Sequence, residues 1–118
     1  MKPSNILHDK SYRFAVRIVK LSQYLNHEKK EFVLSKQVLR SGTAIGALVK
    51  ESEFAQSSPD FINKLSIAAK EANETQYWIS LLKDTEYITM QMHNSMNSDA
   101  TELIKILTSI INTMKTKR

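Results

Sequence analysis

The strongest constraint in this sequence is a helical period that recurs in four segments of a chain with few helix-ending residues. Only two glycines and two prolines occur among 118 residues, whereas a sheet protein of this size needs more turn residues. Apolar and small residues recur at spacings of three and four, which places them on one helical face. The sequence therefore predicts an all-α fold with helices at about residues 9–26, 36–56, 59–85 and 90–115.

Each predicted helix has one seam of residues that we expect to face the core. The seams are Phe14, Ile18, Leu21 and Leu25; Val38, Ser41, Ile45, Leu48, Ser52 and Ala55; Phe61, Leu65, Ala68, Ala72, Thr75, Ile79 and Leu82; and Met92, Met96, Leu103, Ile106, Leu107, Ile110 and Met114. Because the connectors are only a few residues long, neighbouring helices must run antiparallel. We therefore predict that residues 1–118 form a single domain, an antiparallel up-and-down four-helix bundle.

Local signals set the predicted helix boundaries. Ser35, Ser58 and Thr89 are candidate N-caps, because a side-chain oxygen there accepts a free backbone N–H. Pro59 suits the first turn of the third helix. The polar stretch from Asn94 to Thr101 makes the first turns of the fourth helix the part most prone to fraying.

Composition excludes several classes of protein. The chain has no cysteine, so disulfides, thiolate nucleophiles and cysteine-bound zinc are excluded, and a reducing compartment is favoured. No run of about 18 apolar residues occurs, and the amino-terminal residues contain no apolar run, so we expect neither a membrane span nor a secretion signal. These features predict a cytoplasmic protein that does not bind membranes. The net charge of +5 permits a polyanionic partner.

Four cations repeat at spacings of three, four and three on the first helix. Lys10, Arg13, Arg17 and Lys20, called the basic stripe below, therefore share one helical face. Their stems can flank the core while the charges reach water. Alternatively, the stripe follows a phosphate backbone, which makes affinity fall steeply with salt. The two interpretations are compatible, and Lys115, Lys117 and Arg118 add a basic carboxy-terminal tail.

The third helix carries a second row of residues at helical spacing, in which two carboxylates lie between apolar neighbours. This row, called the mixed stripe below, consists of Ile67, Glu71, Glu74, Trp78 and Leu81. Half-buried carboxylates need cations or hydrogen-bond donors, and Arg40 on the second helix is the nearest candidate. Three interpretations are open: an ion pair within one chain, an ion pair between subunits, and a pair of catalytic carboxylates.

No motif in the sequence indicates an enzyme. Carboxylate-bridged di-iron bundles carry Glu-x-x-His on two helices, and that motif does not occur here. His8, His27 and His93 lie where solvated side chains are expected. We find no glycine-rich phosphate loop, no nucleophile elbow, and no histidine placed to activate Ser57 or Ser58. The sequence therefore predicts no catalytic residue, no metal site and no cofactor.

Two segments resemble a known family. They are Phe32 to Glu51, FVLSKQVLRSGTAIGALVKE, and Asp60 to Leu82, DFINKLSIAAKEANETQYWISLL. They resemble the bacterial four-helix bundles encoded within intervening sequences of 23S ribosomal RNA genes, which are similar in fold to the accessory proteins of diversity-generating retroelements. The matching positions are Arg40, Ser41, Gly42, Ile45, Gly46, Glu51, Phe61, Lys64, Leu65, Lys70, Glu71, Glu74, Thr75, Tyr77 and Trp78.

The resemblance implies a ring-shaped homopentamer with a basic outer surface, and nucleic-acid binding is the activity most often suggested for the family. Ala44 and Leu48 depart from the pattern, which commonly has serine and asparagine there, so the interior is more apolar in this chain. The leading hypothesis is a non-enzymatic homo-oligomer that binds RNA or DNA through phosphates. A protein-interaction scaffold without nucleic-acid binding is the alternative.

Overall fold

A computed structural model describes residues 3–117 of the chain, with side chains from residue 5 onward, and these residues form a four-helix bundle. The helices are α1 (Pro3–His27), α2 (Leu34–Ser52), α3 (Ser58–Asp84) and α4 (Met90–Thr116). Each helix contacts its two neighbours around the bundle, α1 with α2 and α4, and α3 with α2 and α4. The predicted all-α fold and antiparallel bundle topology are confirmed.

The core contains most of the predicted seam residues, although the buried faces of all four helices include further members. On α2 these are Ser35, Gly42 and Val49, whereas the predicted Leu48 and Ala55 are only half-buried. Leu7 and Ser11 extend the α1 seam toward the start of the chain, which is why α1 begins at Pro3 rather than near Asp9. On α3 the buried residue is Ile62 rather than Phe61, which is half-buried. Ala100 and Ile111 are buried on α4, where Met92, Ile106, Ile110 and Met114 are only partly buried.

The start of α2 differs from the prediction. Val33 occupies the N-cap position, and no side chain at that position caps the helix. Instead the buried Glu31 carboxylate accepts the backbone N–H groups of Val33, Leu34 and Ser35 at 3.2, 3.0 and 2.8 Å. Ser35 lies inside the helix, where its hydroxyl donates to Asn26 Oδ1 at 2.8 Å. The Glu31 carboxylate, which lies outside the helix, thus caps the start of α2, the role that the sequence predicted for Ser35.

The helix boundaries on either side of the second connector also shift. α2 ends at Ser52 rather than near Gln56. Ser57, not Ser58, is the N-cap of α3, since its hydroxyl accepts the N–H of Asp60 at 3.2 Å. Asp60 in turn accepts the N–H of Gln56 at 3.1 Å. The predicted cap at Thr89 is confirmed by its bond from the N–H of Met92 at 3.1 Å, and α4 is helical through its polar first half.

The two glycines of α2 let α1 approach closely. A Cβ built on Gly42 would lie 2.6–2.8 Å from three side-chain atoms of Ile18, and one built on Gly46 would lie 3.3 Å from the backbone oxygen of Ser11. This contact aligns the two helices tightly along one side of the bundle. The molecule measures 48 × 22 × 22 Å, so it is about twice as long as it is wide. None of the helices within residues 3–117 is sufficiently long and apolar to cross a membrane.

Candidate nucleic-acid interface

The basic stripe lies on the side of α1 that faces α4. Phe14 and Ile18 of α1 point into the core with 1% and 0% exposure, and each is the residue after a stripe cation. Arg13 and Lys20 are exposed, whereas Lys10 and Arg17 are half-buried. The aliphatic stems therefore border the core while the charges reach the surface, which is the flanking arrangement expected of long cationic side chains.

Two of the four cations are paired with carboxylates of α4. Lys10 Nζ lies 3.3 Å from Glu102 Oε2. The Arg17 guanidinium donates to Asp99 Oδ2 at 2.6 Å and to Ser95 Oγ at 2.9 Å. Sequence reasoning missed these carboxylates, because their approach depends on how α1 and α4 are aligned rather than on spacing within either helix. The pairs lower the positive potential of the stripe at two positions.

Arg13 and Lys20 are the two stripe cations that make no salt bridge within the described part of the chain. Both are exposed, and they lie seven residues apart, which is about 10 Å along one face of a helix. The structure thus presents an exposed guanidinium and an exposed ammonium on one helical face, both outside the salt bridges that join α1 to α4.

The basic carboxy-terminal residues lie at one end of the bundle. Lys115 is in the last turn of α4 and Lys117 is its C-cap, and both are exposed. Because α4 runs antiparallel to α1, these residues lie near the end where α1 begins, closer to Lys10 than to Lys20. Arg118 lies outside the described residues.

The mixed stripe lies on α3 where α3 meets α2, and the structure brings all of its polar members together with Arg40. Arg40 Nη1 lies 3.3 Å from Glu71 Oε1, and Arg40 Nη2 contacts Glu74 Oε2. Trp78 Nε1 donates to Glu74 Oε2 at 2.9 Å. These contacts form within one chain, and the Arg40, Glu71 and Glu74 side chains remain 51%, 21% and 37% exposed.

One arrangement with a catalytic appearance was missed by sequence reasoning. Ser80 Oγ lies 3.2 Å from His93 Nε2, and His93 Nδ1 lies 3.0 Å from Asn94 Oδ1. If Nδ1–H donates to the amide oxygen, Nε2 accepts the serine proton. Ser80 nevertheless lies inside α3, where helical hydrogen bonds occupy the surrounding N–H groups, so none is free to stabilise an oxyanion. We interpret this arrangement as a hydrogen bond that joins α3 to α4.

The acidic and histidine side chains do not gather into a metal site in residues 3–117, since no three of them lie close enough to hold an ion. Glu71 and Glu74 are instead occupied by Arg40 and Trp78. In the described residues, these two carboxylates therefore serve as partners of a guanidinium and, at Glu74, of an indole N–H.

Comparison with known proteins agrees with this fold. The profile of the 23S rRNA-intervening sequence proteins matches residues 4–109. A Bacteroides thetaiotaomicron protein, described as one of unknown function from the S23 ribosomal protein family, has a similar crystal structure. It shares 59% sequence identity with this chain and superposes with a TM-score of 0.93, over 94% of this chain and 99% of its own. Among curated proteins, none matches the chain.

The family profile spans nearly all of α1 to α4, including both segments in which the resemblance was noted. The polar partners Arg40, Glu71 and Glu74 lie inside the matched region, as does the whole basic stripe. The chain therefore belongs to the family of 23S rRNA-intervening sequence proteins.

Proposed function

We propose that this protein is a non-enzymatic homo-oligomer that binds RNA or DNA through the phosphate backbone, using the basic stripe of α1. The observation that supports the proposal best is the exposure of Arg13 and Lys20 on one face, with no carboxylate partner in residues 3–117. This surface fits binding to the phosphate backbone rather than recognition of base edges. Its charges are separated from one another, and it presents no pair of hydrogen-bond donors to a base.

The ion pairs of Lys10 and Arg17 limit how strongly one copy can bind. Asp99 and Glu102 already neutralise these two cations, so the basic stripe of each copy contributes about two free phosphate contacts. For duplex DNA, two contacts give a slope of log affinity against log salt of about −1.8. Several copies engaging one strand multiply the contacts, so useful affinity requires assembly.

Self-association is supported by the apolar side chains that the single chain leaves exposed. The large exposed hydrophobic residues are Tyr12, Val16, Val19, Phe32, Val33, Phe54, Tyr77 and Met90. Of these, Tyr12, Val16 and Val19 share one side of α1 by their helical spacing, and exposed apolar residues that lie close together are typical of surfaces that bind another protein. The homopentamer implied by the family resemblance provides a means of covering some of them.

The proposal is tested by fluorescence anisotropy with labelled RNA and duplex DNA of random sequence, each of about 30 nucleotides, between about 50 and 300 mM KCl. We expect binding at low salt and a linear fall in log affinity with log salt. Arg13→Gln and Lys20→Gln should each make the slope shallower by about one for each copy that contacts the strand. Lys70→Gln removes an exposed lysine from α3 and is the matched control.

Absence of binding to both probes at the lowest salt would overturn the proposal. An unchanged slope in the Arg13→Gln, Lys20→Gln double variant would overturn the role of the stripe. The scaffold alternative is favoured by Val33 and Phe54, which are 71% and 80% exposed at opposite ends of the bundle. A single protein that copurifies stoichiometrically after nuclease treatment would support that alternative.

A further inference from the structure

A cleft, called the Tyr24 cleft below, lies between α1 and α4 at the end of the basic stripe. It encloses about 300 Å³ and is lined by Arg17, Lys20, Leu21 and Tyr24 of α1 and by Met92 and Met96 of α4. Leu21 and Met96 belong to the core, and Tyr24 and Met92 are half-buried and pack against it. The apolar part of the lining therefore includes one aromatic ring and two thioethers.

The charges at the Tyr24 cleft favour a ligand that carries negative charge. Lys20 is exposed and makes no salt bridge within residues 3–117. Arg17 is paired with one carboxylate, that of Asp99, so two cations face a single anion and the site keeps a net positive charge. No acidic side chain of the described residues lines the cleft itself. A ligand that suits this site combines an apolar portion with a nearby anionic group.

Two other clefts at α1 and α4 lack this combination of groups. One of them shares Tyr24, but there Lys29 and Lys83 are balanced by Asp84 and Glu86 in the lining. The other lies toward the opposite end of the bundle and is lined by Ile6, Lys105, Ile106, Ser109 and Ile110. It has one cation and no aromatic ring. The Tyr24 cleft differs from both, since it joins an aromatic, apolar lining to an excess of positive charge.

A nucleobase has the surface that this lining accepts. Every base has a flat π face that stacks on an aromatic ring, and thioether sulfur makes favourable contacts with aromatic systems. The exposed stripe cations Lys20 and Arg13 precede Tyr24 by about 6 and 17 Å along α1, so phosphates that follow the base along its strand can contact them. Stacking accepts any of the bases, which agrees with a surface that does not recognise base edges.

We propose that the Tyr24 cleft binds an unpaired base of a single-stranded nucleic acid whose phosphates follow the basic stripe. This inference rests on the nucleic-acid binding of the proposed function and specifies its ligand, a single strand rather than a duplex. In a duplex each base is paired and stacked between its neighbours, and a base enters a protein cleft only after those contacts are broken. A single strand offers its bases without that cost.

The first part of the experiment varies the ligand and uses the wild-type protein. The labelled probes are a single strand of about 12 nucleotides, the same strand paired with its complement, and a strand of equal length whose bases are replaced by abasic residues, each as RNA and as DNA. Anisotropy is measured between about 50 and 300 mM KCl. For the sugar that binds more tightly, we expect the single strand to bind best at the highest salt, because stacking persists where counterion release contributes less. The abasic strand should bind at least about fivefold more weakly.

The second part varies the protein. Tyr24→Leu removes the ring and keeps an apolar side chain, and it should weaken single-strand binding at least about fivefold at every salt concentration. The slope of log affinity against log salt should stay unchanged, since no charge is removed. Tyr24→Phe keeps the ring and should recover most of the affinity. Tyr87→Leu is the matched control and should bind as wild type does, because Tyr87 is likewise half-buried against the core but does not line the Tyr24 cleft. Circular dichroism verifies that each variant is folded.

Combining the two parts isolates the contact between Tyr24 and a base. Tyr24→Leu should not change the affinity for the abasic strand. An equal loss on the abasic strand and on the normal strand would overturn the base site. So would a duplex or an abasic strand that wild type binds as tightly as the single strand, a comparison that does not depend on any variant folding. Absence of binding to every probe at the lowest salt would instead overturn the proposed function, so the two failures are distinguishable.

Discussion

At Gly42, a single hydrogen in place of a side chain decides how closely α1 and α2 pack. Its missing Cβ would lie within 2.8 Å of three atoms of Ile18, a residue with 0% exposure. Gly46 differs, because a Cβ there would lie 3.3 Å from the backbone oxygen of Ser11, its nearest neighbour on α1. The two glycines look equivalent in the sequence, and the structure predicts that they respond differently to substitution.

We expect Gly42→Ala to destabilise the protein by about 1–2 kcal/mol, because overpacking costs about 1–3 kcal/mol and the helix-propensity gain of alanine is about 1 kcal/mol. Gly46→Ala should change the free energy of unfolding by less than about 1 kcal/mol, since the two effects nearly cancel. Urea denaturation of both variants measures the difference.

The cause can be checked with Ile18→Val, which removes Cδ1, one of the three atoms that the new methyl group would meet. In a double-mutant cycle, the Gly42→Ala cost should be smaller in the Ile18→Val background. Equal costs in both backgrounds would mean that the clash with Ile18 is not what limits this position.

Glu31 provides a second residue-scale prediction. Its carboxylate is 8% exposed and accepts three backbone N–H groups at the start of α2. Glu31→Ala leaves those donors without a partner and should cost about 1–3 kcal/mol. Glu31→Gln retains one acceptor oxygen and should cost less. Thermal unfolding of both variants gives the order, and a Glu31→Gln loss as large as that of Glu31→Ala would contradict the capping role.

At the scale of the helices, two adjacent serines at the start of α3 have different roles. Ser57 accepts the N–H of Asp60, whereas Ser58 is exposed in the first turn. Ser57→Ala should cost about 1 kcal/mol of stability, as expected for loss of an N-cap, and Ser58→Ala should be nearly neutral. Chemical denaturation of the two variants makes the comparison, and equal losses would mean that the cap is shared between the two hydroxyls.

The helices are predicted well from the sequence, because the spacing of apolar residues indicates which face of each helix is buried. The Pro59 signal places the start of α3 to within a residue, and Thr89 caps α4 as its position predicts. The start of α2 could not be predicted in this way, since Glu31 acts from outside the helix and its role depends on how the connector folds back. The early start of α1 was missed because Ile6 and Leu7 form only a short apolar pair among polar residues, and the burial of Leu7 comes from packing.

The same distinction applies to the candidate site, where patterns within one helix are predictable and contacts between helices are not. The basic stripe and the mixed stripe are each a spacing pattern within one helix, so the sequence identifies their members. The Lys10 and Arg17 pairs are set by the alignment of α1 against α4, which no spacing within a helix encodes. The same holds for Ser80 and His93, which are thirteen residues apart on different helices.

For the whole molecule, Trp78 offers a direct probe of assembly. It is the only tryptophan, and it lies in the mixed stripe, half-buried, with its indole N–H bonded to Glu74. If the homo-oligomer of the proposed function uses the mixed stripe as an interface, the indole is shielded from water in the oligomer and more exposed in the free chain. Its emission should therefore depend on protein concentration, and the melting temperature should rise with concentration as well.

We expect dilution of the wild type through the concentration at which light scattering shows dissociation to shift Trp78 emission to longer wavelength. Ile67→Asp, which places a charge in the mixed stripe about three helical turns from Trp78, should show the longer-wavelength emission at every concentration. Asn73→Asp, at an exposed position of α3 outside the mixed stripe, is the matched control and should follow the wild-type curve. An emission maximum that stays constant while the mass falls would place Trp78 outside the interface, and assembly would then have to use a surface other than the mixed stripe.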